Sequence, residues 1–189
     1  MHLLIIIYKY YSRKLQASPM RRKDREMDAA FATDILQHAP YITVSMTDED
    51  GMPYAVPLSL ASADGKVYYF HCAAEGKKAE CIKACPNVFL SAVTRCKPTV
   101  GPKDNSFTME YKSATAKGIA EIVTDYDEKI EAMRIICQRF LPHHMEAFSQ
   151  ALAQSIDITT VMRITLTDAP IGKRKEYDEN GDEKKYQRE

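Results

Sequence analysis

Apolar and polar residues alternate with a period of two along much of this chain, and in a few stretches the period lengthens to that of a helix. Between residues 28 and 39, Phe31, Ile35, Leu36 and Ala39 recur at helical spacing and Pro40 ends the run, which predicts an amphipathic helix. Tyr41-Ile42-Thr43-Val44-Ser45-Met46 then alternates as a strand does, and residues 48–51 supply turn chemistry ending in glycine. Over residues 54–60, Tyr54, Val56, Leu58 and Leu60 share one face, while Ala55, Pro57 and Ser59 share the other. Asp64-Gly65 has the composition of a hairpin turn and leads into Val67-Tyr68-Tyr69-Phe70-His71-Cys72, rich in β-branched and aromatic residues. The three strands read as an antiparallel meander.

Residues 79–85 return to helix formers, and residues 87–94 read as a buried strand. Two prolines, a glycine and Asp104-Asn105 make residues 97–106 a loop. Residues 107–123 form a strand pair or one bent strand, with Ala114, Ala116, Gly118 and Ala120 on one face. The clearest helix spans residues 125–141, with Ile130, Met133, Cys137, Phe140 and Leu141 as its apolar stripe and Pro142 as its stop. A second helical stretch follows over 143–153, then a β-branched strand over 158–167. Six or more strands with three helical insertions do not alternate as βαβ units. The expected fold is mainly β (α+β), an antiparallel barrel with helices packed outside.

The ends differ from the middle. Residues 1–19 carry the short apolar run 3–7 and read as an upstream-start extension or a partner-binding arm; Met20 looks like a fresh start. The domain is expected over 20–173. Residues 174–189 lack apolar periodicity and read as a charged tail, mobile in its last ten residues. The formal net charge is zero, which argues against general nucleic-acid binding. No apolar run approaches the roughly 20 residues that span a bilayer. There are five cysteines and no CxxC pair, which suits buried thiols in a reducing cytoplasm. Cys81 and Cys85, with Cys72 or His71, fall short of four well-placed zinc ligands, so no metal is expected.

Two places suggest chemistry. Pro57 removes a ladder donor, so its strand belongs at an edge or bulge. The shallow face of Ala55, Pro57 and Ser59 can receive a flat ring. Farther on, Glu75-Gly76-Lys77-Lys78 lies where a strand hands over to a helix. Lysines in a first helical turn oppose the macrodipole, which makes sense if an anion sits there among backbone N–H groups. A solvated lysine pair is the plainer alternative.

Four segments in this order resemble the pyridoxamine-5′-phosphate-oxidase-like split-barrel flavoproteins, and within them the 5-nitroimidazole reductase branch. They are residues 20–26 (MRRKDRE), 50–58 (DGMPYAVPL), 69–78 (YFHCAAEGKK) and 111–120 (YKSATAKGIA). The resemblance implies a split β-barrel that binds FMN at the interface of a homodimer. It implies that Val56, Pro57, Leu58 and Ser59 carry the isoalloxazine. It implies that Tyr69, His71, Cys72, Glu75, Gly76, Lys77 and Lys78 hold the ribityl phosphate end, and that Tyr111 and Ser113 approach from the partner. His71 is also the candidate catalytic contact. A serine is common in this family where Cys72 stands, and a thiol is the weaker hydrogen-bond partner.

The implied activity is reduction of a small acceptor, such as a nitroaromatic, with the cofactor carrying the electron chemistry. A flavin-binding module without turnover is one alternative. A split barrel using haem or a deazaflavin is another, with His38, His71, His143 and His144 as possible haem ligands.

Overall fold

The computed structural model describes residues 20–186, so the expectation for residues 1–19 lies outside the described residues. Eight antiparallel strands form one sheet: β1 (Glu26–Met27), β2 (Ile42–Thr47), β3 (Pro53–Leu58), β4 (Val67–Cys72), β5 (Asn87–Val100), β6 (Phe107–Ile122), β7 (Thr160–Leu166) and β8 (Ile171–Lys175). Four α-helices accompany them: α1 (Ala29–His38), α2 (Lys77–Ala84), α3 (Tyr126–Phe140) and α4 (Phe148–Ser155). The main path runs β1-β8-β6-β5-β2-β3, with β7 on β6 and β4 on β7.

β6 is one long strand, not a strand pair. One of its edges takes β5 along nearly its whole length. The other is divided: residues 111–115 pair with β8 and residues 118–122 with β7. That division splits the barrel. Ala114, Ala116, Gly118 and Ala120 all point into the core, as the small-residue stripe foretells. A Cβ on Gly118 would lie 2.6 Å from Ile164 Cγ2 and 3.0 Å from the Thr165 carbonyl oxygen, so glycine is what lets β7 come this close.

The inner faces of β2, β4, β5, β6 and β7 enclose the core. Val44, Leu90, Met162 and Ile164 fill it with Tyr68, Phe70 and Leu36 from α1. Both long helices begin on an aspartate cap: Asp28 accepts from the Phe31 N–H and Asp125 from the Glu128 N–H, each at 2.8 Å. α3 packs across the outer face of β4 and β7. Glu128 anchors it there, receiving Arg163 at 2.8 Å and the Tyr69 hydroxyl at 3.1 Å.

Several expectations need correction. The meander ends after two strands, because β4 leaves β3 and pairs with β7. The Asp64 turn closes only an isolated bridge between Ala61 and Tyr69. Residues 97–100 are strand, not loop, despite Pro98. Beyond Ser91, β5 has β6 as its one strand neighbour, so an open edge tolerates the missing donor, and a bulge between Val93 and Arg95 resets the register. The stretch after Lys173 is docked through residue 186. β8 sits between β1 and β6, and Glu183 joins Arg25 at 2.5 Å and Arg22 at 3.1 Å. Charge compensation holds this segment where apolar periodicity gives no signal. In α3 the buried positions are Ala132 and Ile136, to one side of the expected stripe.

Replacing Gly118 by valine forces β7 away from β6 and should destabilise the fold by about 1–3 kcal/mol. Denaturant unfolding checks this, and an unchanged midpoint would refute the close-approach argument.

Candidate functional site

Alternation along β3 turns Tyr54, Val56 and Leu58 toward the core and leaves Pro53, Ala55, Pro57 and Ser59 exposed. β3 ends the main path, so Pro57 lies on an edge strand as its missing N–H demands. On β4, Tyr68 and Phe70 point inward, while Tyr69 and His71 point outward toward α3. Where β3 and β4 part, a cavity of about 500 Å³ opens. Pro57, Leu58 and Ser59 form one wall, and Phe70 and His71 another. Ile136, Cys137 and Phe140 of α3, with Leu141 just after the helix, close the third side. A flat, largely apolar ring fits this lining, with an imidazole at its margin.

The structure gathers some expected residues here and leaves others apart. Pro57, Leu58, Ser59 and His71 meet around the cavity, whereas Val56 packs on the core. Tyr69 is occupied elsewhere, packing with Val123, Val161 and Met133. Cys72 lies half-buried against the core. Burial pushes its thiol pKa up, and the charge of Lys78 partly offsets this. Tyr111 and Ser113 sit on the outer face of β6, away from the cavity lining.

The turn at Glu75-Gly76 follows β4 directly. Gly76 has φ +126°, a conformation that other residues rarely adopt, and caps α2. Both lysines fall in the first helical turn, but they are not equivalent. Lys77 Nζ lies 2.9 Å from Asp48 Oδ2, an ion pair that ties α2 to the β2–β3 turn. Asp48 also accepts the Met52 N–H at 2.8 Å and the Asp50 N–H at 3.1 Å. The Lys77 ammonium, aided by these N–H groups, holds the Asp48 carboxyl below its ordinary range. Lys78 makes no ion pair among the described residues and remains the available ammonium.

Sequence reasoning missed Asp48 and the α3 wall. The α3 residues were legible as an apolar stripe, but nothing local assigned them to a cavity. Asp48 read only as a turn residue, since its partner lies 29 positions away.

Eight antiparallel strands, with a cavity where their sheet parts, define the split-barrel fold class. The chain belongs to the pyridoxamine 5′-phosphate oxidase family, whose model matches residues 28–173. Among solved structures it resembles the flavocytochrome Anf3 from Azotobacter vinelandii at 19% identity, covering 88% of this chain and 78% of that one, with a TM-score of 0.73. It also resembles a candidate 5-nitroimidazole antibiotic resistance protein from Bacteroides thetaiotaomicron at 22% identity, covering 79% and 87%, with a TM-score of 0.64. A third is an FAD- and haem-binding protein from Mycobacterium smegmatis at 18% identity, covering 79% and 73%, with a TM-score of 0.67. These likenesses establish the split-barrel fold. No curated protein matches the chain. Among the described residues no helix is long and apolar enough to cross a membrane, and no group of three or more His, Cys, Asp or Glu is placed to hold a metal.

Asp48 has a depressed carboxyl pKa, so its pairing stabilises the fold above the ordinary aspartate pKa of about 3.9 and is lost as pH falls through the lowered value. Asp48→Asn should therefore melt earlier than the native chain at pH 7 and converge with it in acid. Parallel melting curves at every pH would refute the pairing.

Proposed function

We propose that the chain binds FMN and acts as an oxidoreductase on a small acceptor such as a nitroaromatic compound, working as a homodimer. The observation that carries this reading is the 500 Å³ cavity, where the exposed proline-bearing edge of β3 faces His71 beneath the apolar end of α3. Pro57 and Leu58 would lie along the flavin ring, with Ser59 and His71 at its margin. The Gly76 cap, the N–H groups of the first turn of α2 and the Lys78 ammonium would hold the phosphate, with Glu75 and Cys72 flanking it. When bound, FMN supplies the electron-transfer chemistry. The chain's own part is to orient the ring, keep water from one side of it and present an imidazole to the acceptor.

The dimer has separate support. Pairing registers place Pro57, Thr43, Ser91 and Thr115 side by side on one outer face. That face continues along β5 and β6 through Phe89, Val93 and Val100 to Met109 and Phe107, which is 93% exposed. An apolar stripe of this length on an isolated domain supports the reading of this face as the dimer interface. A second copy seated on it would meet Tyr111 and Ser113, which lie on the same face.

The test is the absorption spectrum of the purified protein together with its mass in solution. Flavin bands and twice the chain mass are expected, and a colourless protein that takes up no FMN would overturn the reading. A Soret band would replace FMN with haem. A bound flavin that neither NADH nor NADPH reduces and no nitroimidazole reoxidises would mean a module without turnover.

Replacing Lys77 and Lys78 together by alanine should weaken FMN by about 1.5–3 kcal/mol, the worth of a charge-assisted hydrogen bond. Lys78→Ala alone should account for most of that loss, because Lys77 is already paired with Asp48. Titration of apoprotein with FMN measures both; equal losses from the two single variants would contradict this division.

A further inference from the structure

Two residues that line the large cavity, Cys137 of α3 and Leu141 just after it, also line a second one of about 180 Å³. This second cavity is a half-open cleft between α3 and α4, bounded further by Met133, Met145, Phe148 and Ala151. Its lining is almost wholly apolar: His144 and Ser155 are its polar residues, and no Lys, Arg, Asp or Glu contributes to it. A charged ligand entering it would lose its hydration and find only the His144 imidazole and the Ser155 hydroxyl as polar partners. Protein interiors seldom keep voids much larger than a water molecule, and an apolar cavity of about 150 Å³ is enough to hold benzene. The space therefore suits one monocyclic ring with a small substituent. Two methionine thioethers and a phenyl ring favour an aromatic occupant, because sulfur and ring edges both make attractive contacts with π faces. Of the expected α3 stripe, Met133, Cys137 and Leu141 line this cleft.

We propose that the cleft between α3 and α4 is a separate site for a small neutral aromatic molecule, next to the flavin cavity and across a wall shared at Cys137 and Leu141.

The experiment uses the purified full-length protein with its bound cofactor, toluene as a probe that cannot be reduced, and N-ethylmaleimide labelling of Cys137 followed by peptide mass. Toluene at about ten times its dissociation constant should slow Cys137 labelling about tenfold, and benzoate should not. Labelling indifferent to toluene, or slowed equally by benzoate, would overturn the inference. Ala151→Phe fills the cleft and should abolish protection by toluene, with FMN uptake reporting that the variant is folded. Protection that persists in the folded variant would place toluene elsewhere and also overturn it. If Ala151→Phe instead halves the mass in solution, a second copy covers the cleft and the proposal fails. If toluene protects a protein that takes up no flavin, the cleft stands as a neutral-ring site and the flavin reading alone falls.

Discussion

The second edge of β6 has to satisfy two neighbours at once. Residues 111–115 give their hydrogen bonds to β8 and residues 118–122 give theirs to β7. β7 and its partner β4 therefore leave the line of the main sheet, and β3 is left unpaired with β4. The close contact at Gly118 fixes how near β7 comes, and so where β4 stands. The position of His71 relative to Pro57 follows from a glycine on a third strand.

α3 reads this geometry and completes it. Its outer carboxylate, Glu128, fastens the helix to β4 and β7 through Tyr69 and Arg163. Its C-terminal half then overhangs the place where the sheet parts. Arg139 donates to the Ala39 carbonyl at 2.7 Å, joining the end of α3 to the end of α1. Burial without a carboxylate partner lowers the pKa of that guanidinium. The helix is thus held at both ends, while Ile136 and Cys137 between them line the cavity. Rigid support around an unfilled apolar wall is the arrangement expected of a binding site rather than of a core.

Much of this was legible in the chain, and the failures have a common cause. The edge position of β3 followed from Pro57, and the small-residue stripe of β6 correctly marked a close approach. Helix starts followed from Asp28 and Asp125. Local signals of this kind need only near neighbours. What escaped were pairings that depend on distant partners. β8 reads as Ile171-Gly172-Lys173-Arg174-Lys175, which has no strand pattern; Arg174 is paired with Glu176, and Lys175 donates to the Thr108 hydroxyl. Arg95 and Lys112 complete the neutralisation of Glu176. Asp48 likewise looks like an ordinary turn residue until α2 brings Lys77 to it. Periodicity counts apolar positions, so it is blind to strands held by ion pairs.

The docked C-terminal stretch has one more consequence. Tyr186 donates its N–H to the Asp24 carbonyl at 2.8 Å, and Lys185 reaches the Asp24 carboxylate at 3.2 Å, so positions 24 and 186 are neighbours in space. With residues 1–23 and 187–189 removed, a short linker across that gap would make the backbone a closed ring. New termini could then be opened in the exposed bend at Asp50-Gly51, and the permuted chain would keep every strand pairing described above.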